Sequence, residues 1–372
     1  MKVLHLTSGN LFGGIESYLL TLARLRHLAP EMEPHFGVCF PGRLRDELIG
    51  AGVPVCDLGP VRVSRPWTVL HARRRLTAVL REWHIGAVAT HDVWPHAVFG
   101  SAVKRAGIRL VNAVHGILAG RHWLERWAAR TRPDALIANS RFTAGPAGAL
   151  FGRTADVVHC PVAAPDIDTA AARIAIRREL GTPHGTTVIL QASRLEEWKG
   201  HRNHLAALGQ LASLPDWQAW FAGGPQKAGE AEYLGELKAA AEAFGIARRV
   251  KFLGQRSDVR RLLAVADIYC QPNSGPEPFG IAFVEALHAG LPVISSRFGG
   301  AAEIVDETCG RLVPPGDIAV LADVLATLLA DPQRRRELGN AGPARALELC
   351  DPARQMACLA ELISGFPAEV AR

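Results

Sequence analysis

Residues 3–28 read VLHLTSGNLFGGIESYLLTLARLRHL, and their order decides the fold. The apolar run Val3–Thr7 has the length and composition of a strand. Ser8 to Glu16 forms a loop carrying the paired glycines Gly13 and Gly14, and Ile15–Leu28 has the spacing of an amphipathic helix. Apolar strands that alternate with helices build parallel sheets covered on both faces. The same unit recurs along the chain. Further strands are expected at His35–Phe40, Val53–Leu58, Ala87–His91, Leu110–His115, Ala135–Asn139 and Asp156–His159, with another helix at Leu70–Trp83. A second series is expected at Thr187–Ala192, Trp217–Ala222, Val250–Leu253, Ile268–Gln271, Pro292–Ser295 and Gly310–Val313. Two series imply two doubly wound α/β domains with a cleft between them.

Cys160–Asp168, CPVAAPDID, has two prolines and no apolar periodicity, and reads as the linker. The expected domains are therefore 1–165 and 166–350. Ile318–Ala330, Pro332–Leu349 and Pro352–Ser364 follow as helices with no strand left to cover. The last, extended to about 351–372, is expected to cross back onto the first domain.

A chain of 372 residues fits two domains at roughly 100–200 residues each, and 48% hydrophobic with 21% charged residues excludes disorder. No apolar run approaches the roughly 20 residues of a membrane span. The start has no signal-peptide pattern, so a cytoplasmic location is expected. The seven cysteines form no C-x-x-C pair, which argues against structural zinc and a disulfide framework. Charge is uneven: residues 1–165 carry 20 Lys+Arg against 11 Asp+Glu, and residues 166–372 carry 22 against 25. A basic first half suits an anionic substrate, a phospholipid surface or nucleic acid, or is only an uneven arginine-rich composition.

In open parallel sheets ligands bind beyond the carboxyl ends of the strands. There the Gly13–Gly14 loop opens a helix whose first amides suit a phosphate, although it matches neither the dinucleotide nor the Walker fingerprint. His115 ends a strand and is followed by Gly116. In the second half, Ser193–Gly200 reads SRLEEWKG and sets Arg194 and Lys199 five residues apart, a fork and a point charge for two diphosphate oxygens. Pairing with Glu196 and Glu197 is the plainer alternative. Glu277 lies in a Pro-rich loop before a helix, and Glu285 within it is the only acidic residue from Pro278 to Pro292. A carboxylate on so apolar a helix needs a hydrogen-bond donor, such as a sugar or ribose hydroxyl, unless it faces solvent. Amides around Phe279, Gly280 and Ile281 suit sugar or phosphate oxygens.

These segments, GGIESYLLTLA, VHG, SRLEEWKG, FAGGP, VKFLGQ and PEPFGIAFVEALHAGLPVISSRFGGAAEIV, span residues 13–305 in order. With R-x4-K-G and E-x7-E together, the chain resembles the retaining nucleotide-sugar glycosyltransferases of family 4. The resemblance implies the GT-B fold: two Rossmann-like domains, the first for the acceptor and the second for the donor. It implies that Arg194 and Lys199 hold the donor diphosphate and that Gly13 and Gly14 bring amides toward it. Glu277 would bond the donor sugar, Phe279, Gly280 and Ile281 would give backbone contacts, and Glu285 would hold the ribose. His115 corresponds to the histidine near the transferred sugar, and the base is expected near Val250 and Phe252. Asn273 stands where many members carry serine, and Leu287–His288 where Met–Ala is common; both are expected to lie off the contacts.

The implied activity is transfer of a hexose from a UDP- or GDP-linked donor to a glycan, lipid-linked or exopolysaccharide acceptor, with retention and with no metal or other cofactor. Asp166-Ile167-Asp168 spells the D-x-D metal signature of another glycosyltransferase fold, but it lies in the linker and is discounted. A nucleotide-sugar epimerase, a phosphorylase and a non-catalytic nucleotide-sugar-binding subunit are the alternatives. Nucleic acid is not expected as a partner, because no recognised motif accompanies the basic half. Leu76, Val79, Leu80 and Trp83 form a helical stripe with Arg73, Arg74, Arg75 and Arg81 on other faces. Trp123 and Trp127 sit among Arg121, Arg126, Arg130 and Arg132. Such mixtures suit peripheral contact with an anionic membrane, and core packing is the plainer reading of the tryptophans.

Overall fold

The computed structural model describes residues 1–365. The chain divides into two units: Met1–Pro161 together with the segment from Cys350, and Val162–Leu349. The break falls inside the expected linker.

Unit 1 holds strands β1 (Lys2–Thr7), β2 (Glu33–Val38), β3 (Val55–Asp57), β4 (Ala87–His91), β5 (Arg109–Val114), β6 (Ala135–Ala138) and β7 (Asp156–Val157). They form one parallel sheet in the order β3-β2-β1-β4-β5-β6-β7. The strands are buried on both faces in the middle of the sheet, and Leu4, Leu6, Val88 and Leu110 meet Leu76, Leu80, Phe99 and Val103 in one core. Strand β2 stops at Val38 because the next two amides, of Cys39 and Phe40, both turn to the Ser8 carbonyl. The first helix, Gly14–Arg24, ends earlier than its periodicity suggests and passes into a 3-10 turn at Arg26–Leu28. The next long helix, Pro66–Glu82, starts earlier than expected, with proline at its first position, where no amide partner is missed. Helix Pro352–Ser364 packs on this sheet, buries Met356, Leu359 and Ile363, and accepts Arg109 at the carbonyls of Ile363 and Leu362. The expected continuation toward residue 372 lies, beyond 365, outside the described residues.

Unit 2 holds β8 (Thr187–Ala192), β9 (Trp217–Ala222), β10 (Val250–Gly254), β11 (Ile268–Gln271), β12 (Val293–Ser296) and β13 (Gly310–Val313). Their parallel order is β10-β9-β8-β11-β12-β13. Trp217, Phe221, Leu205, Leu208, Leu237 and Leu325 fill the core, each large apolar side chain stabilising by about 1.5–3 kcal/mol. In each unit the strand order reverses direction once, between β1 and β4 and between β8 and β11. At such a switch the loops leave to opposite sides and open a ligand crevice at the carboxyl ends of the strands.

Candidate active site

In unit 2 the loops that flank the switch point are those after β8 and β11, and they carry the predicted cations and Glu277. Lys199 Nζ donates to Glu277 Oε2 at 2.6 Å, with the two side chains only 12% and 10% exposed. The same oxygen accepts Gln271 Nε2 at 3.1 Å and Asn273 Nδ2 at 3.2 Å. Asn273 is therefore a direct partner of Glu277. His288, the other departure, bonds the Val162 carbonyl instead. Trp198 lies 4.0 Å beneath the Lys199 ammonium and adds a cation–π contact.

Backbone geometry sets this meeting. Gly200 sits at φ 75°, and a Cβ there would lie 1.8 Å from the Pro272 carbonyl oxygen, so only glycine lets the Lys199 loop press against the β11 loop. On the other side Gly300 N–H donates to the Glu277 carbonyl at 2.6 Å.

Arg194 pairs with Glu196 at 2.9 Å, as the plainer reading had it, whereas Lys199 does not pair with either neighbouring glutamate. Glu196 also takes Lys227 at 2.9 Å and Trp198 Nε1 at 3.1 Å. Burial would raise the Glu196 carboxyl, but Lys227 and Arg194 outweigh it and hold it below its ordinary range. Arg194 stays one-third exposed, with guanidinium N–H groups left over for a ligand.

Phe279 is buried, and Gly280 opens the helix Ile281–His288 at φ 108°. In that first turn the Phe283 amide bonds the Gly280 carbonyl at 3.0 Å, and the turn carries the helix's positive end. Glu285 does not face solvent: its carboxylate is 19% exposed and meets Arg260 at 3.1 Å. Burial raises its pKa, partly offset by Arg260. Val250 packs its side chain into the core, and half-buried Phe252 stacks on Phe221 at 5.3 Å. Asp168 accepts Ala171 N–H as a helix cap, a structural role for half of the D-x-D triplet.

In unit 1 the Gly13 amide donates to Glu16 Oε2 at 2.9 Å, so the first turn's own carboxylate engages it, and the helix proper starts at Gly14. His115 lies just past β5. It belongs to a row of three rings absent from the sequence expectations: His5 Nδ1 to His91 Nε2 is 3.0 Å, and His91 Nδ1 to His115 Nε2 is 2.9 Å. Tyr18 covers His115 with ring centroids 4.9 Å apart. Burial holds His5 down to about 3 and His115 down to about 4, so both are neutral at pH 7. Asp92 follows His91 at φ 77°, and its Oδ1 is buried without a hydrogen-bond partner among the described residues. Burial lifts its carboxyl to about 6, against the pull of the nearby backbone amides of His115, Val93 and Gly116. A non-glycine residue in that backbone region is strained, and here the strain aims a carboxylate at the His115 loop. Trp127 is half-buried against the core, whereas Trp123, stacked on it, is 51% exposed.

Two family models match the sequence, "Glycosyl transferases group 1" over residues 172–345 and "Glycosyltransferase Family 4" over residues 12–164. A GDP-mannose-dependent monoacylated alpha-(1-6)-phosphatidylinositol monomannoside mannosyltransferase of Corynebacterium glutamicum is 30% identical over 357 residues, 89% of each chain. The chain is a family 4, group 1 glycosyltransferase. The related GDP-mannose-dependent enzyme of Mycolicibacterium smegmatis is 32% identical over 82% of this glycosyltransferase and 84% of its own length. The crystal structure of Anabaena HepE with UDP-glucose matches with a TM-score of 0.85 and 26% identity, covering 98% of this chain and all of that one. The glycosyltransferase thus has the GT-B fold, with its two parallel sheets of seven and six strands. No helix among the described residues is long and apolar enough to cross a membrane.

Proposed function

We propose that this glycosyltransferase moves a hexose from a nucleoside diphosphate to a glycan or lipid-linked acceptor, with retention of configuration and without a metal. The observation that carries the reading is the Lys199–Glu277 pair at the switch point of unit 2, with Arg194 on the same loop. Breaking the anomeric C–O bond puts negative charge on the leaving diphosphate and positive charge on the sugar ring. Lys199 and Arg194, with the amides of helix Ile281–His288, are fixed donors for the first, and such preorganised charge is the largest single source of rate in many enzymes. Glu277, held by Lys199, Gln271 and Asn273, bonds sugar hydroxyls, and Glu285 bonds the ribose. In retention the acceptor attacks from the face the diphosphate leaves, and a phosphate oxygen takes the acceptor proton. Unit 1 receives the acceptor and offers His115 to the transferred sugar.

GDP-mannose is the first donor to test, because both long-range relatives are GDP-mannose-dependent. UDP-glucose is the second, because the HepE structure holds it. The acceptor class proposed is a phosphoinositide-type glycolipid, met at a membrane surface by Trp67 and Leu70, exposed in one segment with Arg62, Arg65 and Arg74.

The test is incubation with each donor and phosphatidylinositol vesicles in EDTA, reading released nucleoside diphosphate and the one-bond carbon–proton coupling at the anomeric centre of the glycolipid. The reading expects an α-linked product from an α-linked donor. A β-linked product, or turnover only after a divalent cation is restored, contradicts it. Flotation with anionic vesicles at low salt tests the membrane face, and absence of binding removes it.

A further inference from the structure

The row of histidines in unit 1 has a direction. His5 lies within β1, His91 ends β4 and His115 follows β5, three neighbouring strands of the sheet. The ring centroids stand 5.2 Å apart at both steps, with interplanar angles of 30° and 24°. His5 and His91 are buried, and His5 Nε2 has no hydrogen-bond partner among the described residues. Three neutral imidazoles carry one N–H each, and the row contains two hydrogen bonds. His91, in the middle, owns a single N–H, so it donates on one side and accepts on the other.

Two settings follow. If His115 starts the row, its Nε2–H points at His91 Nδ1 and His91 Nε2–H points at His5 Nδ1. His5 must then carry its own proton on Nε2, a buried N–H with no acceptor. If His5 starts the row from Nδ1–H, the orphan Nε2 holds only a lone pair, and the last proton sits on His115 Nδ1. Orphaned buried donors are rarer than under-satisfied acceptors, and leaving one unpaired carries its full desolvation penalty.

We infer that His5 and His91 are positioning residues that hold His115 in its Nδ1–H tautomer, so that its ring offers the sugar a hydrogen-bond donor and not a base. The contact with the sugar rests on the proposed function above; the tautomer does not. The Asp92 carboxylate lies against Gly116, the residue after His115.

The test is a long-range proton–nitrogen correlation spectrum of the full chain labelled with 15N-histidine. The native protein is expected to show His5, His91 and His115 protonated at Nδ1, the tautomer less favoured for imidazole in water. In His5→Glu a carboxylate acceptor faces His91 Nε2, so His91 and His115 are expected to switch to Nε2–H, with turnover about tenfold lower, the worth of one hydrogen bond. His5→Phe leaves only a lone pair orphaned on His91 Nε2 and is expected to keep both the Nδ1–H signal and the turnover. An Nε2–H signal for His115 in the native protein or in His5→Phe, or an unchanged tautomer in His5→Glu, overturns the inference. A switched tautomer with unchanged turnover supports the row and overturns the contact of His115 with the sugar.

Discussion

Lys199 and Glu277 form a nearly buried ion pair, Nζ to Oε2 at 2.6 Å, although they are 78 residues apart in the chain. Removing one partner strands the other. Lys199→Ala is therefore expected to lower turnover by on the order of 100-fold or more, and stability by about 3 kcal/mol, because the Glu277 charge is left uncompensated. Lys199→Ala combined with Glu277→Gln is expected to recover the stability but not the turnover. Kinetics and urea unfolding of the single and double variants check both halves. Near-normal turnover in Lys199→Ala contradicts the assigned diphosphate role.

Gly200 is the hinge of that contact. Alanine there meets the Pro272 carbonyl and a left-handed backbone at once, and the loops must separate to admit it. Gly200→Ala is expected to destabilise the protein by more than about 2 kcal/mol and to abolish nucleotide binding together with it. Gly14→Ala, whose Cβ meets nothing within 4 Å, is expected to leave the unfolding midpoint nearly unchanged.

Much of this was legible in residues 3–28 and their recurrences, because buried parallel strands leave apolar runs that few other structures produce. Cys160–Asp168 marked the break between units for a similar reason: prolines and lost periodicity are local signals. What the sequence concealed depends on strand order. His5, His91 and His115 are scattered in the chain, and only the order β1-β4-β5 makes their strands neighbours. His91 stands at a strand's carboxyl end as His115 does, and that shared position is the local signal that marks it. Gln271 and Asn273 were hidden likewise, since their bond to Glu277 depends on how the β11 loop folds back. The inward turn of the Val250 side chain was hidden too, since alternation in an edge strand does not reveal which face the core lies on.

Glu285 and Arg260 are paired at 3.1 Å, and the pair leaves acceptor capacity on the carboxylate for a ribose. Glu285→Ala is expected to weaken nucleoside diphosphate binding about tenfold, measured by calorimetry. Unchanged affinity would mean that the carboxylate serves Arg260 alone.

Acid is expected to destabilise the fold through its buried histidines. Burial holds His96, His115 and His201 down to about 4, and His5 and His204 to about 3, from an ordinary 6.5. Below pH 6.5 the unfolded chain binds protons that the native state refuses, so stability falls as pH drops from 6.5 toward 4. Asp92, raised to about 6, and Glu285, also raised by burial, work in the opposite direction, two carboxyls against several histidines. Unfolding midpoints measured from pH 8 to pH 4 are expected to be flat above 7 and to fall below 6.5. A midpoint that rises toward pH 5 contradicts the burial of neutral histidines.

The central claim is that unit 2 holds a nucleoside diphosphate through Lys199 and Arg194 without a metal. Thermal unfolding with GDP, UDP, ADP and dTDP, each with and without EDTA, tests it most directly, since a ligand that binds only the native state raises the midpoint. The account predicts a shift with GDP or UDP that EDTA leaves intact and that vanishes in the variant combining Lys199→Ala with Glu277→Gln. A shift that EDTA abolishes, or no shift with any of the four, would contradict it.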